Sequence, residues 1–451
     1  MNCIFISIFN EEKYIDMVYL LLESIFIYGK LNDNTDILVY TSTSFMNIIK
    51  KSHLFNDEKV KFEINDTYNI DNAWKAKLDL FNLSSIINYN KILYLNNRII
   101  VKDDINIIFD NCRNDILYVL EEGNINDDCD FWGKTLFGNE INNYSNKTAF
   151  TSEILLFNNC EKIKELFYKI NEDSIKRPYN FDSYDQPYII YNAFKYKMYN
   201  NKMLNYFVMN NDTNIHSSKI IHYFSSDSQN KINIMTKFMN SINDYTITNN
   251  INKTKSYIND YLMPIINDSG ELLEGNIFMF HNTGVYTDVF LNKAKNISNL
   301  LLNKNIKNVM EIGFGSGFSA LLMLLSNDNI NVTCFDIAEH AYTMPCYEKM
   351  KETFGERISL IVGDSRNTLK NCSDNYDLIH IDGGLLLEVA ESDITNSYRL
   401  SKNGTILIMD DYNLPNINTL WNNYIDTYNL RPLNIYTYPS PFHDIKYNCS
   451  I

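Results

Sequence analysis

Residues 308–326 read NVMEIGFGSGFSALLMLLS: a short strand-like run, glycines at Gly313, Gly315 and Gly317, then an unbroken apolar stretch. Strand, glycine turn and helix form one unit, in which glycine lets the backbone bend tightly and approach a ligand while the helix start offers free N–H groups. Around it lie NVTCFD (331–336), ISLIVGD (358–364), YDLIHID (376–382) and GTILIMD (404–410), each a short apolar run with an acidic C-terminal end. Such a series predicts an α/β layer with a mainly parallel sheet, which binds ligands at the carboxyl ends of its strands. Asp336 follows Gly317 by 19 residues, close to the ~20 expected for an acid that holds ribose hydroxyls. The pattern suits an adenosine-containing ligand.

Working outward, the first half shows the same alternation. CIFISIF (3–9), DILVYT (36–41), KILYLN (91–96), ILYVLE (116–121) and EILLFN (153–158) alternate with helical patterns at Tyr14–Tyr28 and Ala73–Ile87. From Ser241 to Gly275 the chain turns polar and Asn-rich, and a helix is expected over Asp288–Asn303. The expected organisation is therefore two doubly wound α/β domains, 1–240 and 285–451, with a linker and helical lead-in at 241–284.

Composition bounds the function. A chain of 451 residues is long enough for two or three domains, and 45% hydrophobic residues supply their cores. The formal charge of −15 disfavours nucleic acid and anionic membrane surfaces as partners. No uninterrupted apolar run is long enough for a membrane helix, and MNCIFISIFNEEKY has no basic flank or cleavage site, so it reads as a first strand and the expected compartment is the cytoplasm. Eight cysteines without a CxxC pair read as reduced thiols.

From about Val285 onward the residues resemble class I S-adenosylmethionine-dependent methyltransferases, with EIGFGSG as the first motif. The resemblance implies a Rossmann-like fold and a cofactor site of Glu311, Gly313, Gly315, Ser316, Gly317, the ribose acid Asp336, and Asp364 with Ser365 beside the adenine. YDLIHIDGG and ILIMDD narrow it to sugar (macrocin-like) O-methyltransferases. By that likeness Asp382 and Asp410 are catalytic and Asp382, Asp410 and Asp411 are candidate Mg²⁺ ligands. Three carboxylates at adjacent strand ends also repel one another unless they share a cation. Relatives carry His or Lys three residues after the strand-four Asp, where this chain has Leu385, so the base is unassigned; His380, inside an apolar strand, reads as a core residue.

Residues 1–240 resemble nucleotide-sugar glycosyltransferases of the GT-A fold, particularly the glycogenin-like family 8. The likeness rests on WKAKLDLF, KILYLNNRIIV, AFTSEILLFNN, FDSYDQPYII and IIHYF, and it places Lys77, Asn96, Arg98, Asp185, Gln186 and His222 at the nucleotide-sugar site. Where the family has Asp-x-Asp, this chain has Asn96, Asn97 and Arg98. A guanidinium has no lone pair to give, so the resemblance does not extend to Mn²⁺. Arg98 either pairs with the diphosphate in place of the ion or is a solvated loop charge on a silent domain. Together the two halves imply a bifunctional enzyme that transfers hexose from a nucleotide sugar and methylates a sugar hydroxyl. The alternative is a methyltransferase whose first domain only binds nucleotide sugar or glycan.

Overall fold

The computed structural model describes residues 1–9, 12–51, 58–68, 72–127, 130–178, 184–225, 230–274, 276–279, 285–433 and 437–449. The chain forms two units, Met1–Ile242 and Asn243–Ile451.

The first unit contains β1 (Asn2–Ile8), β2 (Thr35–Thr41), β3 (Val60–Ile64), β4 (Lys91–Leu95), β5 (Ile99–Val101), β6 (Leu117–Asn124), β7 (Thr148–Asn158), β8 (Tyr199–Asn200), β9 (Val208–Asn210) and β10 (Ile221–Tyr223). Its main sheet runs β3-β2-β1-β4-β7-β6-β8. The first four strands are parallel, and β7 is antiparallel to both β4 and β6. Alternate residues supply two separate cores: Cys3, Phe5, Leu38, Tyr40, Ile92 and Tyr94 face one layer, and Ile4, Ile6, Ile37, Val39, Leu93 and Leu95 the other. A sheet covered on both faces explains why these strands read as continuous apolar runs rather than alternating ones. A small second sheet runs β5-β10-β9.

The second unit contains β11 (Asn308–Ile312), β12 (Asn331–Asp336), β13 (Ile358–Val362), β14 (Tyr376–Ile381), β15 (Ser401–Met409), β16 (Arg431–Pro432) and β17 (Asp444–Tyr447). Its sheet runs β13-β12-β11-β14-β15-β17-β16, parallel from β13 to β15, with β17 antiparallel to β15 and β16. In both units the strand order reverses beside the first strand, between β1 and β4 and between β11 and β14. Such a reversal opens a crevice at the carboxyl ends.

Two local expectations change. The stretch Ala73–Ile87 is not one helix but three 3₁₀ turns, Ala73–Lys77, Leu80–Asn82 and Ser84–Asn88, broken where Leu83 becomes extended. Asn82, Ser84 and Ser85, all weak helix formers, lie at the break, where the Ser84 hydroxyl and the Ser85 N–H both donate to Glu63 Oε1, at 3.2 and 3.0 Å. The Asn-rich segment is more helical than its composition suggests. Helix Lys231–Tyr257 is followed by a π turn at Ile258–Leu262 and a helix at Met263–Ser269. Ile247, Ile251, Thr254, Ile258, Leu262 and Ile266 are buried at helical spacing within the second unit. The stripe is present in the sequence, diluted by the asparagines between its members. Among the described residues no helix is long and apolar enough to cross a membrane.

Candidate functional site

In the first unit, the ends of β1 and β4 and the start of β7 open into a cavity of about 620 Å³. Of the residues expected at a nucleotide-sugar site, Lys77, Asn96, Arg98, Asp185 and Gln186 all line it. Lys77 Nζ pairs with Asp185 Oδ2 at 2.9 Å and donates to Ser152 O and Oγ, both at 3.2 Å. Gln186 Oε1 accepts from Ser152 N at 2.9 Å, so the serine of AFTSEILLFNN is tied to Lys77 and to Gln186 alike. Burial alone would lower the Lys77 ammonium, but Asp185, with Tyr94 and Glu153, holds it above the usual lysine value. Lys77 is therefore charged and already neutralised. Arg98 differs: it is half-buried on the cavity wall near Tyr223, and its guanidinium makes no hydrogen bond or ion pair among the described residues. Glu122 and Glu153 face the same space, and burial raises the Glu122 carboxyl. Trp74 and Tyr184 stack at 6.2 Å on the rim.

His222 does not belong to this site. It is fully buried, its Nδ1 lies 3.0 Å from Asp212 O, and its ring packs 4.5 Å from Phe238. Side chains alternate faces along a strand, so in β10 it is Tyr223 that reaches the cavity and His222 that points away from it. Burial lowers its pKa, which keeps the imidazole neutral.

In the second unit the glycine turn links β11 to the helix Phe318–Ser326. Gly313 has φ +94°, and a Cβ there would lie 1.9 Å from Asp382 O; only glycine lets the turn pass so close to the end of β14. At Gly315 the opposite holds, because its missing Cβ would face open space with no heavy atom within 4 Å. Ser316 is buried within the turn and Gly317 caps the helix. Asp336 fastens the turn: Oδ2 accepts from Phe314 N at 2.7 Å and Gly315 N at 2.8 Å, while Oδ1 accepts from Ala338 N at 2.6 Å. A carboxylate has about four acceptor positions, so one remains for a ribose hydroxyl. This cradle fits an adenosine-type cofactor.

Three expected cofactor contacts are placed otherwise. Glu311 is fully buried beneath the turn, where its Oε1 lies 3.1 Å from His380 Nδ1 and its Oε2 meets Cys334 Sγ at 3.6 Å, so it supports the turn from behind. Asp364 is committed to Arg366, whose guanidinium meets its Oδ2 at 2.6 Å and holds the carboxyl below its ordinary value. Ser365 begins the following helical turn, and its hydroxyl is directed to the buried Asp393.

At the ends of β14 and β15 the acids converge with a residue that the motifs did not indicate. Lys293, on the helix Asp288–Leu300, contacts Asp410 Oδ2 and lies 3.7 Å from Asp382 Oδ2. His380 Nε2 is 3.6 Å from the same Asp410 oxygen, so His380 belongs to this cluster as well as to the core. Asp411, at φ +52°, donates its N–H to Asp410 Oδ1 at 2.8 Å, and burial, then Asp382, raises its carboxyl. His380, Asp382 and Asp410 each bring one donor atom within 4.8 Å of the others. Of the expected Mg²⁺ ligands Asp382, Asp410 and Asp411, only the first two belong to this group; His380 stands in the third place, and with an imidazole nitrogen among the donors and the Lys293 ammonium between the carboxylates the group does not fit Mg²⁺, which requires oxygen ligands in near-octahedral array. Beneath them, Asp393 is fully buried with neither oxygen hydrogen-bonded at good geometry, and it lines a small pocket with Asp382, Gly383, Asp410 and Asp411.

Lys293 had a sequence signal. It shares a helical stripe with Asn296, Ile297 and Leu300, all buried, and a charge on a buried stripe calls for a partner.

Residues 310–412 match the profile of a family described as a methyltransferase domain. No curated protein matches the chain. Among solved structures, the chain is similar to the SAH-bound methyltransferase PaMTH1 of Podospora anserina (15% identity, TM-score 0.31, covering 36% of this chain and 80% of that one). It is also similar to mouse xyloside xylosyltransferase 1 (10% identity, TM-score 0.38, 50% and 99%). A third is the bifunctional glycosyltransferase WbbM (15% identity, TM-score 0.38), of which it spans 49% while 52% of this chain is covered. The chain carries a methyltransferase domain in its C-terminal unit.

Proposed function

We propose that the C-terminal unit is an S-adenosylmethionine-dependent O-methyltransferase acting on a sugar hydroxyl, and that the N-terminal unit binds a nucleotide sugar and transfers its hexose. The observation that carries the first part is the Gly313–Gly317 turn, pinned by Asp336 and opening at Gly315 beside the acid-lined ends of β14 and β15. S-adenosylmethionine would supply an electrophilic methyl group on its sulfonium. The chain's own contribution is positional. Asp336, with the one acceptor position left after fastening the turn, would hold the ribose end, and Asp382, with 28% of its side chain exposed, is the carboxylate best placed to accept a hydrogen bond from an incoming hydroxyl.

For the N-terminal unit, the support is the assembly of Lys77, Asn96, Arg98, Asp185 and Gln186 on one cavity. With Lys77 neutralised by Asp185, Arg98 is the cation left for a diphosphate, and its planar fork suits phosphate oxygens. The Asn96 and Arg98 replacements also favour a second reading, in which this unit recruits nucleotide sugar or glycan without catalysis. The test is calorimetric titration of the full chain with S-adenosylmethionine, UDP and GDP, each with and without Mn²⁺, beside an assay of sugar release. Gly315→Arg and Asp336→Ala should abolish S-adenosylmethionine binding; unchanged binding in both would refute the cofactor assignment. Arg98→Ala should weaken nucleotide-diphosphate binding about tenfold, as expected for one charge-assisted contact, and binding equal to the parent's would remove Arg98 from the site.

A further inference from the structure

We infer that Lys293 is the built-in cation of the methyltransferase site, occupying the position between Asp382 and Asp410 that a divalent metal would take. The inference rests on the methyltransferase reading above. Asp410 is 3% exposed and Lys293 6%. A carboxylate so far from water requires a cation or a proton, and the ammonium on Asp410 Oδ2 supplies it. The same nitrogen lies 3.7 Å from Asp382 Oδ2, so one charge serves two strand-end acids. An ammonium has three donors and needs no ligand cage, which suits a shared position of this kind.

The surroundings hold Lys293 there. One turn further along its helix, Asn296 clamps the backbone of Tyr438, donating to its O at 2.8 Å and accepting from its N at 2.7 Å, while Asn292 donates to Pro439 O at 2.7 Å. Asn296 also reaches His443 Nε2 at 3.0 Å. His443 is buried, and burial together with the charge of Lys293 and the nearby His380 pulls its pKa down to about 4, so a second cation is disfavoured close to the first. The remaining imidazole, His380, is turned onto Glu311 through Nδ1 and faces Asp410 through Nε2. A divalent ion at His380, Asp382 and Asp410 would have to expel a buried ammonium whose ion-pair partners among the described residues are those same two acids.

Lys293 is a positioning residue in this role, and its signature is metal affinity. Titration of the full chain with MnCl₂, followed by electron paramagnetic resonance, should show no Mn²⁺ binding in the parent that Asp410→Asn removes. Lys293→Met and the milder Lys293→Gln free the two carboxylates, and each should gain one Mn²⁺ site at least tenfold tighter than any in the parent, lost again when Asp410→Asn is added. Lys293→Arg should behave like the parent. The inference is overturned if the parent itself binds Mn²⁺ in an Asp410-dependent manner, a result that stands whether or not the variants fold, or if folded Lys293→Met binds no more tightly than the parent. Titration of the parent with S-adenosylhomocysteine in excess EDTA tests the underlying reading separately: binding there with Asp410-dependent Mn²⁺ uptake would refute only the role of Lys293, and no binding would refute the cofactor site.

Discussion

Replacing Asp393 by Asn should stabilise the C-terminal unit, and more so at high pH. Asp393 lies on the buried face of the helix Leu387–Arg399, fully out of solvent, and a Cβ on Gly383 would come within 2.5 Å of its Oδ2. Burial, partly opposed by the Ser365 hydroxyl, raises its carboxyl from 3.8 to about 6. Because the folded pKa lies above the unfolded one, the folded state binds the extra proton, and stability is lost as pH rises from about 4 through about 6. The gap corresponds to ~3 kcal/mol of lost stability at pH 8 and ~1.6 kcal/mol at pH 5, taking 1.36 kcal/mol per pKa unit. Asn carries no charge, so the variant should be more stable than the parent by an amount that grows by ~1.4 kcal/mol between those two pH values. Any fixed cost of burying the amide cancels in that difference, and so does the titration of His443, which both proteins share. Trp421 is fully buried in this unit and bonded to Asp444 Oδ2 at 2.7 Å, so its fluorescence reports guanidinium unfolding once Trp74 and Trp132 are changed to Phe in both proteins. A stability difference that is equal at pH 5 and pH 8, or that favours the parent more at pH 8, would refute the buried-carboxylate account.

Two further outcomes concern the N-terminal unit. Lys77→Met should cost about 3–5 kcal/mol by leaving Asp185 buried and unpaired, while Lys77→Met with Asp185→Asn should recover most of the loss; calorimetric melting of the two variants checks this, and equal losses would mean that the pair is not coupled. His222→Ala should leave UDP affinity within about twofold of the parent while lowering stability by ~2 kcal/mol through the cavity left against Phe238, which titration and melting together measure.

The strands and the turn were legible because their chemistry is local. EIGFGSG names its own conformation: Gly313 is required because a Cβ there would lie 1.9 Å from Asp382 O, and Asp336 lies at a fixed distance along the chain from the turn it fastens. What escaped was set by tertiary packing. His222 and Tyr223 are neighbours in sequence, and which of them meets the cavity depends on the pairing of β10 with β5, where Tyr223 stands opposite Ile99. Asp364 read as free for the adenine until Arg366, two residues on, turned back onto it. The missing His or Lys after β14 drew attention to Leu385, whereas the cation enters from residue 293, 117 positions before its partner Asp410. A pairing of that separation has no spacing rule; only the charge on a buried stripe points to it.

Both halves therefore place a side-chain cation where their resemblances lead one to expect a metal, but the two are in opposite electrostatic states. Lys293 is sealed from solvent between Asp410 and Asp382 and is neutralised by the chain itself. Its pairing is screened little by salt and has no charge to spare for a ligand. Arg98 is half-buried on an open cavity wall, with no ion-pair partner among the described residues and with Glu122 and Glu153 facing the same space. Its charge is available to an anion that enters, and an acidic cavity also weakens binding of any anion that Arg98 does not meet directly. Nucleotide binding by the N-terminal unit should accordingly fall with ionic strength, whereas cofactor binding by the C-terminal unit, at an uncharged glycine turn and one carboxylate, should be nearly indifferent to it. The same salt titration, run on both ligands with one protein, separates a cation that receives substrate from one that only holds its own acids in place.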